Sequence, residues 1–195
     1  MQKLPIALLR GAGDLGSGAA YRLFKAGIPV IICELPQPVC VRRLVCYSNA
    51  VYEGEVVIEG IKGILCKTAS EAISVSQNGS IAILIDPKVE VSNTYRFPVW
   101  VDARMMKRPP EQGVGKADLV IGLGPGFIAG ENCDALVETN RGSKLGRVSW
   151  LGIAERDTGY QKVFFIIRRI GYFVRRPTEQ LRKLPGLAIM FPVAT

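Results

Sequence analysis

Ile6-Ala7-Leu8-Leu9-Arg10-Gly11-Ala12-Gly13-Asp14-Leu15-Gly16 carries an apolar run straight into a G-x-G-x-x-G motif, and a helical pattern through Tyr21, Leu23, Phe24 and Lys25 follows. Strand, tight turn and helix in that order are the context that gives this motif its meaning. Gly11 permits the turn, Gly13 lets a phosphate approach the backbone, and Gly16 lets the helix lie close to the strand. The helix would then turn its free N–H groups and positive dipole end on that phosphate. Val30-Ile31-Ile32-Cys33 reads as a second strand and ends in Glu34, eighteen residues after Gly16. A dinucleotide-binding unit places its ribose acid near this point. Glu34 suits vicinal ribose hydroxyls and would repel a 2′-phosphate. The competing reading is a solvated acid at a strand end.

Working outward, the first unit is a strand over 4–10, a helix over 15–26 closed by Gly27, and a strand over 29–34. Leu35-Pro36-Gln37-Pro38 forbids helix and makes a stiff extended turn. A helix is predicted over 39–50, with Arg42 and Arg43 on its exposed side, either as a solvated face or within reach of a ligand phosphate. Residues 55–66 read as two short strands around a glycine turn. A helix over 70–76 precedes Ile81-Ala82-Ile83-Leu84-Ile85, a continuous apolar run of the kind buried parallel strands show. That run stops at Asp86-Pro87, and Val99-Trp100-Val101-Asp102 is another strand ending in an acid. A polar loop over 104–117 contains Lys107 and Arg108. Leu119-Val120-Ile121 then opens onto a second glycine loop, Gly122-Leu123-Gly124-Pro125-Gly126-Phe127, and later strands fall at 135–138 and 146–150. This alternation predicts an α/β fold: a Rossmann-like, doubly wound, mostly parallel sheet with some antiparallel additions.

Ligands of such sheets bind outside the carboxyl ends of the strands. The candidate ligand-binding residues are therefore Gly11, Gly13, Asp14, Gly16 and Glu34, together with Gly122, Gly124 and Gly126. The second glycine loop either cradles the other end of a phosphate-bearing ligand or merely allows a chain reversal. Asp86 and Asp102 read first as turn caps, with metal binding or support of a base as the alternative. No metal site is marked by spacing.

Composition narrows the chemistry. The 195 residues include no histidine, which removes Ser-His and Cys-His nucleophilic catalysis and most zinc sites. The five cysteines, at 33, 40, 46, 66 and 133, form no C-x-x-C pair and fit reduced thiols in the cytoplasm. No eighteen-residue apolar run exists, so no transmembrane helix is predicted. Arg10 and Asp14 interrupt the apolar N-terminal stretch, which reads as a buried strand and not a signal peptide. The net charge is +8, of which residues 161–195 supply +6 through seven Lys and Arg against Glu179. A uniformly basic nucleic-acid surface is not indicated.

Several stretches together resemble a known family. They are Arg10-Gly11-Ala12-Gly13-Asp14-Leu15, Glu34-Leu35-Pro36-Gln37-Pro38, Ala50-Val51-Tyr52-Glu53-Gly54, the run Leu119 through Gly130, and Glu138-Thr139-Asn140-Arg141-Gly142 with Leu145-Gly146-Arg147-Val148. They look like the selenium-dependent molybdenum hydroxylase accessory proteins, the YqeB-like group. Its Rossmann part is similar to that of the XdhC-type factors that handle molybdenum cofactor for xanthine dehydrogenase. The resemblance implies a cytoplasmic maturation factor that holds a nucleotide or molybdopterin-type cofactor while a molybdenum hydroxylase apoenzyme, or another maturation factor, receives it. The same site would alternatively serve an NAD-dependent oxidoreductase with an NAD-like dinucleotide, and a vestigial Rossmann interaction module is a third reading. The family's Arg-Gly-His reads Arg141-Gly142-Ser143 here.

On this reading the resemblance ends near Gly159. Residues 1–159 form the Rossmann-like domain, and 160–195 form a divergent basic, hydrophobic tail. Residues 162–176 alternate apolar and basic blocks, which would suit an amphipathic helix on an anionic membrane. Gly171 and the β-branched and aromatic content oppose a helix. The favoured expectation is a replaced C-terminus, for instance from a reading-frame change, packed poorly on the Rossmann core.

Overall fold

A computed structural model describes residues 4–106, 110, 117–155, 165–166 and 173–174. The chain divides into two compact units, Met1–Asp157 and Thr158–Thr195. Unit one opens with β1 (Ala7–Arg10), α1 (Asp14–Lys25) and β2 (Val30–Glu34). Next come α2 (Ala50–Glu53), β3 (Glu55–Ile58), β4 (Ile61–Cys66), α3 (Ala69–Gln77) and β5 (Ile81–Ile85). β6 (Val99–Asp102), β7 (Leu119–Leu123), β8 (Ile128–Ala129), β9 (Ala135–Val137), β10 (Val148–Ser149) and β11 (Gly152–Ile153) complete it.

Nine strands make one sheet in the order β10-β9-β7-β6-β1-β2-β5-β4-β3. Its seven central strands, β4-β5-β2-β1-β6-β7-β9, are all parallel, and β3 and β10 are antiparallel additions at the two edges. This is the doubly wound order, with the chain reversing direction across the sheet between β1 and β6. The expected α/β, mostly parallel, Rossmann-like sheet is thus the observed one.

Alternation along the strands explains the two layers. Leu9, Val30, Ile32, Ile81, Ile83 and Val101 are buried in one apolar cluster with Ala20 of α1 and with Tyr47. Their neighbours Leu8, Ile31, Cys33, Ala82, Leu84 and Trp100 are buried in another, with Ala72 of α3. Successive strand residues point to opposite faces, so a run such as Ile81–Ile85 has to be apolar throughout to feed both.

Local signals set the helix ends. Asp14 in the first turn of α1 and Arg22 and Lys25 in its last turn suit the helix dipole. Gly27, at φ 81°, follows the C-cap and its N–H donates to the Phe24 carbonyl at 2.9 Å. In α3 the Glu71 amide donates to the Thr68 hydroxyl oxygen at 3.2 Å, while Glu71 Oε2 accepts from the Lys67 amide at 2.8 Å. Thr68→Ala is expected to cost about 1 kcal/mol of unfolding free energy, the usual worth of an N-cap, read as a lowered urea midpoint at constant slope.

Two expectations are corrected. Residues 39–50 are not a helix: Arg43–Val45 and Tyr47–Asn49 are single 3₁₀ turns, and regular helix begins only at Ala50. Val39, Val41 and Leu44 are 94%, 97% and 90% exposed, so no apolar face of residues 39–45 packs on a core that would hold a helix. Nor are all five thiols free. Cys40 and Cys46 form a disulfide, and Cys33, Cys66 and Cys133 are free and buried. Alkylation of unfolded protein without reductant should label those three cysteines alone, and reductant should raise the count to five. Five labels without reductant would rule the bond out.

Among the described residues no helix is long and apolar enough to cross a membrane. In the second unit Phe165–Ile166 and Phe173–Val174 pair antiparallel, with Phe165 opposite Val174. At these four residues the segment is strand and not the amphipathic helix. The rest of the sequence reading of 160–195, and Lys107 and Arg108, lie outside the described residues.

Candidate functional site

A crevice of about 350 Å³ opens at the carboxyl ends of β1, β2, β5 and β6. The end of β1 contributes Arg10, Gly11, Gly13, Asp14, Leu15 and Gly16, and the end of β2 contributes Cys33, Glu34 and Leu35 with Pro38 and Val39 beyond. Pro87 follows β5, and Ala103, Arg104 and Met105 follow β6. The crevice therefore sits at the switch point between β1 and β6, where open α/β sheets take their ligands.

The glycine loop is held rigidly. The Gly11 amide donates to the Cys33 carbonyl at 3.0 Å, and the Ala103 amide donates to the Arg10 carbonyl at 2.9 Å. The Ala12 amide donates to Glu34 Oε2 at 2.6 Å. The Ala12 carbonyl accepts from the Ser17 hydroxyl at 2.9 Å and from the Ser48 amide at 3.1 Å. Ser17 Oγ in turn accepts from the Tyr47 amide at 2.8 Å. Gly11 has φ +93°, a conformation that disfavours any side chain. A Cβ on Gly16 would lie 2.1 Å from the Gly11 carbonyl oxygen, so helix and strand meet backbone to backbone there. A Cβ on Gly13 would meet nothing within 4 Å. The three glycines thus divide their work as turn, open approach and close packing.

Asp14 stands at the first turn of α1. Its Oδ1 accepts from the Leu15 amide at 2.9 Å, and its Oδ2 accepts from Arg42 Nε at 3.0 Å and from Arg42 Nη2. Hydrogen bonding from Arg42 holds the Asp14 carboxyl below its usual pKa, with burial opposing.

Glu34 has the predicted position with a different set of contacts. It is 8% exposed, and its second oxygen, Oε1, accepts from the Leu35 amide at 2.7 Å. Both carboxylate oxygens therefore bind backbone amides, one of them in the glycine loop itself.

The other strand-end acids are tied inward. Asp86 Oδ1 and Oδ2 accept from the Glu90 and Val91 amides, each at 2.9 Å, and so start the turn over Glu90–Asn93. Asp102 is fully buried and accepts a fork from Arg104, Nε to Oδ1 at 3.0 Å and Nη2 to Oδ2 at 2.8 Å. This orients the Arg104 guanidinium at the crevice wall. Arg10 reaches the opposite side, donating from Nη2 to the Pro87 carbonyl at 2.9 Å.

Of the predicted residues, Gly11, Gly13, Asp14, Gly16 and Glu34 come together here. Gly122, Gly124 and Gly126 do not line the crevice. Gly122 makes room for Phe127, whose ring a Cβ would meet at 2.2 Å, and Gly124 packs behind Met105, whose Cε such a Cβ would meet at 3.0 Å. Arg10, Arg104 and Met105 were not singled out by the sequence reading. Arg104 had one signal, an arginine two residues after a strand-end acid.

Burial first and Asp86 second push the Cys33 thiol far above the ordinary value, which disfavours the thiolate. Burial likewise raises the Cys66 thiol to about 11. Among the described residues no group of His, Cys, Asp and Glu is placed to hold a metal ion.

The chain is 38% identical over 185 residues to an uncharacterized protein, YqeB, of Escherichia coli (strain K12). The match takes in 95% of this chain and 32% of that protein, so the chain spans about a third of the length of the curated relative it matches. The match also runs well past residue 160, which corrects the expectation that the resemblance ends near Gly159. No family model matches the chain, and no solved structure matches it.

Proposed function

We propose that the crevice binds a phosphate-bearing cofactor, of nucleotide or molybdopterin type, and that the protein serves as an accessory factor in the maturation of a selenium-dependent molybdenum hydroxylase in the cytoplasm. The observation that carries the binding half is the glycine loop. It lies at the switch point of a doubly wound sheet, with open space over Gly13 and a helix N-terminus behind it. Gly11, Gly13 and Gly16 would form the phosphate cradle. Arg104, steadied by Asp102, and Arg10 would offer cationic donors on either side of it. The maturation half rests on the motifs shared with the YqeB-like group, and the hydroxylase apoenzyme is the partner it implies.

Mass spectrometry of the small molecule released from freshly purified protein tests the reading. A pterin or nucleotide at near-stoichiometric amount is expected. An NAD-like dinucleotide that turns over with added substrate would favour the oxidoreductase instead. Failure of any pterin, nucleotide or dinucleotide to raise the melting temperature would remove the cofactor-binding reading altogether.

A further inference from the structure

We propose that Asp14 is an internal stand-in for the ligand's phosphate, and that Arg42 passes from Asp14 to that phosphate when ligand binds. The inference rests on the phosphate-binding reading of the crevice and adds a residue to it. One carboxylate here joins the two features that a phosphate seeks at a glycine loop. Asp14 Oδ1 takes an N–H of the first turn of α1, and Oδ2 takes two donors of one guanidinium. Gly13, directly before it, faces open space, and both residues line the crevice.

The arrangement is easily exchanged. The Asp14 and Arg42 side chains are 40% and 61% exposed, and an ion pair in such contact with water adds little. Arg42 lies between Cys40 and Cys46, whose disulfide closes a short loop directly after Pro38 and Val39 of the crevice wall. The exchange also selects among ligands. An incoming carboxylate would only replace like with like. A phosphate brings more charge and more acceptor oxygens to the same fork, so the swap favours phosphate monoesters and pyrophosphates over carboxylates.

Calorimetric titration of the full chain with NADH, and separately with inorganic pyrophosphate, at low salt tests this. Asp14→Asn removes the competing charge and should tighten binding about tenfold, and Arg42→Ala should weaken it about tenfold. Arg42→Ala should weaken binding again in the Asp14→Asn background, where it has no ion pair left to break. Both side chains are exposed, so the melting temperatures should stay close to the parent's; Arg42→Gln serves if Arg42→Ala does not fold. If Asp14→Asn weakens binding, Asp14 is itself a ligand contact and the proposal is overturned. If Arg42→Ala has no effect in the Asp14→Asn background, Arg42 serves only Asp14 and the proposal is again overturned, with the phosphate site intact. A parent protein that binds neither probe overturns the phosphate reading and this inference with it.

Discussion

Gly13→Val is expected to abolish ligand binding, by at least about a hundredfold, and to leave the domain folded. Gly13 has φ −63° and ψ −177°, an extended conformation that valine adopts readily. A Cβ there meets nothing within 4 Å, so the side chain starts into open space. Losing a glycine even restricts the unfolded chain slightly. The new isopropyl group would fill the approach through which a phosphate reaches the start of α1. The melting temperature should therefore stay within a few degrees of the parent, while titration with NADH or pyrophosphate loses its heat. Parent-like affinity in the folded variant would place the phosphate elsewhere.

The strands and helices were legible wherever their signal was local. β1, α1, β2, α3, β5, β6 and β7 fall within a few residues of the readings, because apolar continuity and the helix-closing Gly27 are contained in short stretches. The helix expected over 39–50 begins only at Ala50. Val39, Val41 and Leu44 face water instead, and a short helix without a packed face does not persist. β8 and β11 have two residues each, too few for any periodicity to register.

The candidate site was legible in half. The glycine loop and Glu34 belong to one continuous β-α-β stretch, so spacing alone brought them together. Arg104 and Met105 come from the end of β6, which lies beside β1 although about ninety residues separate them. Only strand order reveals that neighbourhood. Glu34 shows a subtler limit. Its position was readable, but the direction of its carboxylate depends on which backbone amides surround it, and Ala12 and Leu35 claim both oxygens. Gly122 shows the same limit from the other side: its lack of a side chain serves the Phe127 ring, a contact made within a loop that the sequence leaves open between a ligand cradle and a chain reversal.

Gly16→Ala is expected to be the most destabilising single-methyl change in the first unit, costing upwards of about 3 kcal/mol. The added Cβ would sit 2.1 Å from the Gly11 carbonyl oxygen and 3.2 Å from the Ala103 Cβ. The first neighbour is backbone, so no side-chain rotation relieves the overlap. Either α1 must lift from the sheet or the Gly11 turn must open. Both movements break bonds that hold the loop, including Ala12 amide to Glu34 and Ser17 hydroxyl to the Ala12 carbonyl. Gly18, two residues on in the same helix, is the internal control. A Cβ there meets nothing within 4 Å, and glycine in a helix interior costs about 1 kcal/mol relative to alanine. Gly18→Ala should therefore raise the denaturation midpoint while Gly16→Ala lowers it. Both changes remove a glycine from α1, so opposite signs isolate the close approach of helix to strand. If Gly16→Ala proves as harmless as Gly18→Ala, the glycine loop is not packed backbone to backbone on its helix, and the crevice lacks the geometry that a bound phosphate requires.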